Sequence, residues 1–185
     1  MGGTLQADSR LLDILNEINH IWPGISTDPV MLMGFSGGAQ FVNRFAYLYP
    51  ERLRGVVIAA PGKTTKLKTG LKWPDGVADV SAIFDGMEVE VERFREELSG
   101  KVLMVVGKED VMGEDMMELK DFLAGRKRSD GKRTSRVEGL KELRRNWEEG
   151  GIEVDFEVMD GVGHEYAGLL PVILKWLEEK VKGGI

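Results

Sequence analysis

The chain has 185 residues, 42% of them hydrophobic and 30% charged, and a formal net charge of −6. That length supports one domain, residues 1–185, with a real buried core, and the acidic balance argues against nucleic acid or an anionic membrane as partner. With no cysteine and two histidines, disulfides, thiolate catalysis and Cys-based zinc sites are excluded, and a His-rich metal site is not expected.

No apolar run approaches the ~18 residues of a membrane span. Met1-Gly2-Gly3-Thr4-Leu5-Gln6 has no basic region leading into an apolar stretch. It does not read as a secretory signal, so a cytoplasmic location is expected, with targeting by any upstream segment left open. No internal repeat is visible.

Residues 8–22 read as an amphipathic helix, with Leu11, Ile14, Leu15, Ile18 and Trp22 at i, i+3, i+4, i+7 spacing and Asp8 or Ser9 as N-cap. Pro23-Gly24 stops it. His20, near its end, reads as a surface or capping residue rather than a catalytic or metal histidine. Val30 to Phe35 is a continuous apolar run and so a buried strand. A helix follows over 39–49, burying Val42, Phe45, Ala46 and Tyr49, and Pro50 ends it. Residues 55–60 are a second buried strand. Strand, helix, strand in this order implies a right-handed parallel unit.

Residues 61–100 mix Gly, Pro, Lys and Thr and read as a short cap-like insertion over the sheet, with a helix near 87–98. Trp73 either packs this insertion onto the body or lines a substrate pocket. Residues 102–106 form a third apolar strand, running into Gly107-Lys108-Glu109-Asp110. Met116, Met117, Leu119, Lys120 and Leu123 suggest a short core-facing helix. The run from Gly125 carries Arg126, Lys127, Arg128, Lys132, Arg133 and Arg136. Without aromatics, it reads as a solvated, mobile loop rather than a phosphate or nucleic-acid grip. Val137, Leu140, Leu143 and Trp147 mark a helix closed by Gly150-Gly151. Residues 153–158 alternate apolar and acidic, as a strand near a sheet edge does. A last helix is predicted over 171–181, with Pro171 in its first turn.

One stretch organises the rest. Gly34-Phe35-Ser36-Gly37-Gly38 reads G-x-S-x-G, between an apolar strand and a helix. That is the setting of a nucleophile elbow, whose strained turn asks for small residues two before and two after the serine. A Gly-rich phosphate-binding or structural turn is the alternative. A serine hydroxyl is a poor nucleophile at neutral pH; it needs a base in hydrogen-bond reach, and the base needs a carboxylate to fix its tautomer. Ser36, Asp110 and His164 lie in loops after the C-terminal ends of separate parallel strands, so all three open on one side of the sheet.

Gly34-Phe35-Ser36-Gly37-Gly38, Gly107-Lys108-Glu109-Asp110 and Gly161-Val162-Gly163-His164 resemble the three catalytic motifs of the α/β-hydrolase superfamily, in its order of serine, acid, histidine. The resemblance covers about residues 10–182. It implies Ser36 as nucleophile, His164 as general base and then acid, and Asp110 as the orienting carboxylate, with Asp115, Asp160 and Glu165 as alternative acids. It implies Gly37 as an oxyanion-hole donor, no cofactor, and a small-molecule acyl substrate such as an ester. It resembles an intracellular carboxylesterase more than a secreted lipase, and a peptidase or thioesterase activity stays open. A catalytically incomplete homologue acting as an interaction protein is the rival reading.

In the family the elbow follows the fifth of eight strands, whereas here it follows the first. The expected fold is therefore a partial α/β-hydrolase fold: a parallel sheet of about four strands flanked by helices, corresponding to the C-terminal half. The strand Val30 to Phe35 would then be an apolar edge, open to self-association. The loop that supplies the second oxyanion donor in the family would be absent.

Overall fold

The computed structural model describes residues 6–111 and 135–184. The four apolar runs become the strands Val30–Phe35 (β1), Leu53–Ala59 (β2), Val102–Gly107 (β3) and Asp155–Met159 (β4). All pairs are parallel, in the order β1-β2-β3-β4. Phe35 is level with Ala59, Ala59 with Val105, and Gly107 with Met159, so the loops after β1, β3 and β4 leave the same end of the sheet. The central strands are buried almost throughout, because both of their faces are covered. β4 leaves Asp155 and Glu157 in solvent and turns Phe156 and Val158 inward, as its alternation predicts.

The helices are Ala7–Ile21 (α1), Gly37–Leu48 (α2), Val80–Ile83 (α3), Val91–Leu98 (α4), Arg136–Glu149 (α5) and Tyr166–Lys182 (α6), with a 3-10 turn at Pro50–Arg52. Three successive crossovers step across the sheet in one direction, which places α2, α4 and α5 on one face. There Tyr47, Phe94 and Trp147, one from each helix, meet at ring separations of 4.9–5.9 Å. α6 covers the other face: Trp176 lies against Gly55, where an added Cβ would meet its ring at 3.6 Å.

The aromatic cluster also anchors the insertion. Trp147 Nε1 donates to the Tyr47 hydroxyl at 2.6 Å, and that hydroxyl donates to the Thr65 carbonyl at 2.7 Å. Asn43 Oδ1 accepts from Thr65 N, and Asn146 Oδ1 accepts from Leu67 N. Burial of the phenol pushes the Tyr47 pKa up, against a smaller opposing effect of the Trp147 bond. Trp73 packs edge-on against Phe84 at 5.1 Å, with the Arg44 guanidinium over its ring.

Several expectations need correction. α6 begins at Tyr166, so Pro171 lies inside the helix and not in its first turn. Its missing N–H leaves the Ala167 carbonyl without the usual partner. The stripe Leu169, Ile173 and Trp176, all buried, carries the helix across that gap. α1 buries no residue fully: Leu11 and Leu12 pack against the core, while Ile14 and Trp22 are more than half exposed. Neither Asp8 nor Ser9 caps it: Gln6 is the N-cap, Ser9 bonds the Gln6 carbonyl, and Asp8 accepts from the Tyr49 hydroxyl. The insertion helix starts at Val91. The short helix around Met116–Leu123 and most of the basic run lie outside the described residues.

β1 and α2 meet at a very close approach. A Cβ on Gly34 would overlap the Gly38 carbonyl group and come within 2.7 Å of the Ala39 nitrogen, whereas one on Gly38 would meet nothing within 4 Å. The size limit predicted for both glycines therefore applies to Gly34 alone.

Two substitutions test this packing. Gly34→Ala should cost about 3 kcal/mol or more, because backbone faces the new methyl and cannot yield, while Gly38→Ala should stay within about 0.5 kcal/mol. Urea midpoints of the two variants measure the contrast. Tyr47→Phe strips the buried Trp147 N–H and Thr65 carbonyl of their shared partner, and should cost about 1–3 kcal/mol in the same experiment.

Candidate active site

β1 delivers its chain end to Ser36, whose backbone sits at φ 54, ψ −111. A non-glycine residue with positive φ carries strain of about 1–3 kcal/mol. The turn is held by Ser36 N donating to the Ala59 carbonyl at 2.9 Å and by the Gly34–Gly38 approach. Ser36 is also the N-cap of α2, yet its hydroxyl makes no capping bond. Its Oγ is instead turned toward His164. Gly37 is the first residue of α2, where a backbone N–H has no acceptor within the helix and the helix dipole favours negative charge.

The acid loop and the histidine loop are joined along their backbones. Lys108 N donates to the Met159 carbonyl at 2.9 Å and Glu109 N to the Val162 carbonyl at 3.1 Å. Gly107 permits this: a Cβ there would overlap the Val162 carbonyl oxygen and lie 2.6 Å from that of Gly163. Gly168 fits beneath the same loop, where a Cβ would come within 2.7 Å of the Val162 side chain. The result is that Asp110, fully buried, sits beside His164.

The three residues drawn from the sequence are brought together. His164 Nε2 is 3.0 Å from Ser36 Oγ, and His164 Nδ1 is 2.8 Å from Asp110 Oδ2. An ionised Asp110 accepts at Nδ1, so that nitrogen carries the proton and Nε2 faces the serine as an acceptor. The imidazole also stacks on Phe35, ring centroids 4.7 Å apart at 26°. Tyr166 meets Phe35 edge-on at 5.8 Å, and its hydroxyl approaches Met33 Sδ. The acid end of this row is fully buried, Ser36 is half-buried, and the His164 side chain is 32% exposed.

The alternative acids are placed elsewhere. Asp160 is paired with Lys108 Nζ in solvent. Glu165 is exposed at the N-cap of α6, and Asp115 lies outside the described residues. His20 is exposed in the last turn of α1. Among the described residues, no group of three or more His, Asp or Glu is placed to hold a metal ion, and no helix is long and apolar enough to cross a membrane.

Arg136 departs most from its expected role. The basic run reads as solvated, yet Arg136 is only 8% exposed, and its Nη1 lies 2.5 Å from Asp110 Oδ1. Its backbone N–H donates to the Asp110 carbonyl. The arginine belongs to the first turn of α5 rather than to the loop, and its charge is met by a residue 26 positions earlier. One sequence signal could have separated it from its neighbours. It is the first helical residue after Ser135, where a positive charge opposes the helix dipole and needs another partner.

Two surface cavities lie away from this row. One, of about 660 Å³, runs between β4 and α6 along Phe156 and Trp176. The other, of about 580 Å³, lies among α1, α2 and the insertion, walled by Phe41, Phe45, Tyr49, Trp73 and Phe84. Trp73 thus both packs the insertion and lines a groove, but neither cavity is lined by Ser36, Asp110 or His164.

No family model matches the chain, and no curated protein matches it in sequence. Solved structures do resemble it. Poly(aspartic acid) hydrolase-1 from Sphingomonas sp. KT-1 superposes with a TM-score of 0.63 at 16% identity, over 88% of this chain and 59% of that one. The poly(3-hydroxybutyrate) depolymerase LpqC from Bordetella parapertussis gives 0.62 at 18% identity, over 85% and 52%. A ferulic acid esterase from Anaeromyces mucronatus gives 0.54 at 15% identity, over 88% and 49%. The chain thus spans only 49–59% of the length of these three proteins. At such identities the likeness speaks to architecture, and with four parallel strands between helices, the chain has a partial α/β-hydrolase fold.

Proposed function

We propose that this chain is a serine hydrolase that cleaves an ester or similar acyl bond through an acyl-Ser36 intermediate. The observation that carries the reading is the continuous row Ser36 Oγ, His164, Asp110, with links of 3.0 and 2.8 Å. The chemistry follows from it. As Ser36 Oγ adds to the substrate carbonyl carbon, His164 Nε2 takes the hydroxyl proton, and Asp110 holds the resulting imidazolium in place. The carbonyl oxygen becomes an oxyanion facing the Gly37 N–H. Collapse expels the leaving oxygen, which takes the proton from Nε2 and leaves the acyl group on Ser36. A water then repeats the sequence: His164 removes its proton, the carbonyl is attacked again, and Ser36 departs reprotonated. No step draws on a cofactor.

We read the chain as a single domain with residues 61–100 as its cap-like insertion. Names among the structural neighbours (a hydrolase, a depolymerase and a ferulic acid esterase) fit an acyl substrate. Gly37 is the one oxyanion donor this reading assigns. Loss of a single such donor costs ~10²–10³ in turnover, so a slow enzyme is expected.

A second reading has its own observation. β1 lies at the edge of the sheet with Met33 39% exposed, and α1 shows Ile14, Ile21 and Trp22 to solvent. An apolar edge of this kind invites strand pairing, which suits a catalytically incomplete homologue that associates with itself. Oligomers that grow with concentration in size-exclusion chromatography, together with an inert Ser36, would favour it.

Hydrolysis of p-nitrophenyl acetate separates the two. The wild type should turn over slowly but measurably, and Ser36→Ala and His164→Ala should both fall to the rate of buffer. Equal rates for the wild type and Ser36→Ala would overturn the hydrolase reading.

A further inference from the structure

We infer that Arg136 is a positioning residue of the site, setting the carboxylate of Asp110 so that its free oxygen meets His164. The inference rests on the serine-hydrolase reading for its consequence, but its geometry stands separately. Asp110 Oδ1 is taken by Arg136 Nη1 at 2.5 Å and Oδ2 by His164 Nδ1 at 2.8 Å. With one partner on each oxygen, rotation of the carboxylate about its Cβ–Cγ bond would break one contact or the other. The backbone repeats the tie, since Arg136 N donates to the Asp110 carbonyl at 3.3 Å and Val111 bridges Ser135. The start of α5 is thereby latched to the acid loop at three points.

The arginine is poorly accounted for as a purely structural group. It stands at the first position of α5, where its charge opposes the helix dipole. It is 8% exposed, and its buried Nε has no hydrogen-bond partner among the described residues. A long cation held there without full hydrogen bonding gains nothing for the helix. Among the described residues, its one close ionic contact is with the carboxylate that faces His164. Asp110 is fully buried, and a carboxylate removed from water persists as a charge only when paired. Arg136 supplies that pairing from the side away from the imidazole. The carboxylate is thus aimed at Nδ1, and a proton held there leaves Nε2 free for Ser36.

The test compares the full-length wild type with Arg136→Lys, Arg136→Gln and Arg136→Met, each checked for folding by circular dichroism. Two signals are read: the rate of fluorophosphonate labelling at Ser36, and the downfield proton resonance of the His164 Nδ1–H in its bond to Asp110. A misplaced acid should slow labelling on the order of 10²-fold in Arg136→Gln and Arg136→Met and broaden or remove the downfield resonance. Arg136→Lys should fall between them and the wild type. Low, non-denaturing guanidinium should speed Arg136→Met without speeding the wild type. A folded Arg136→Gln or Arg136→Met that labels at the wild-type rate with the resonance intact would overturn the inference. If Arg136→Met does not fold, the Lys and Gln variants decide on the same criteria. If the wild type itself does not label, the hydrolase reading fails, and the resonance alone decides whether Arg136 positions Asp110.

Discussion

The strained backbone at Ser36 is the constraint on which the site depends. A serine at φ 54 is not a conformation the residue adopts unaided. It persists because β1 and α2 leave it no alternative. Gly34 lets the α2 backbone come down onto the strand, and Ser36 N is tied to the end of β2. The strain is local, and the buried core of β2, β3 and the Tyr47–Phe94–Trp147 cluster offsets it. What the strain achieves is placement: Oγ stands clear of the sheet, at the head of a helix whose first N–H groups are unpaired. A relaxed turn would leave the hydroxyl to cap α2, and His164 would lose its neighbour.

From that point inward the site grades from water to interior. Ser36 is half-buried and the His164 side chain about one-third exposed, whereas Asp110 and Arg136 are buried. The gradient has a physical logic. On the proposed reading, the serine oxygen must meet substrate, whereas the charges that orient the base act more strongly where water is excluded. Parallel strands make such an arrangement accessible, because the loops after β1, β3 and β4 emerge at one end of the sheet. Gly107 then closes the last distance by letting the acid loop lie on the Val162 carbonyl. Phe35, the residue just before the serine, completes the assembly by giving the imidazole a flat surface to rest on.

Much of this was legible in the sequence, for reasons that also mark the limits. β1 was readable to the residue, since Val30–Phe35 is bounded by Pro29 and by the elbow itself. β2 and β3 stood out as continuous apolar runs, and β4 by its alternation. That Ser36, Asp110 and His164 would be brought together was readable because each follows a parallel strand ending on the same side of the sheet. Partners made by tertiary contact alone were not readable. Arg136 lies in a run of cations, and only its place at the start of a helix, after Ser135, sets it apart; its burial against Asp110 is made by tertiary contact. Pro171 looked like a helix start because proline usually is; packing by Leu169 and Ile173 overrode that preference. The apolar face of α1 was readable from its spacing, but its partial exposure at Ile14 was not, because periodicity reports what a face prefers and not how far another layer covers it.

The open side of β1 and the exposed apolar residues of α1 lie on the same sequence segment that presents Ser36. On the proposed reading, acid and base are brought together by short contacts, and Gly37 is the one oxyanion donor assigned. A nucleophile in that situation should acylate more readily than it turns over. The most direct test is to quench the folded protein soon after mixing with phenyl acetate and map the product by peptide mass spectrometry. This account predicts an acetyl group on Ser36, lost on longer incubation and absent when His164 is replaced. An unmodified Ser36 in folded protein, or acetyl groups confined to surface lysines, would contradict it.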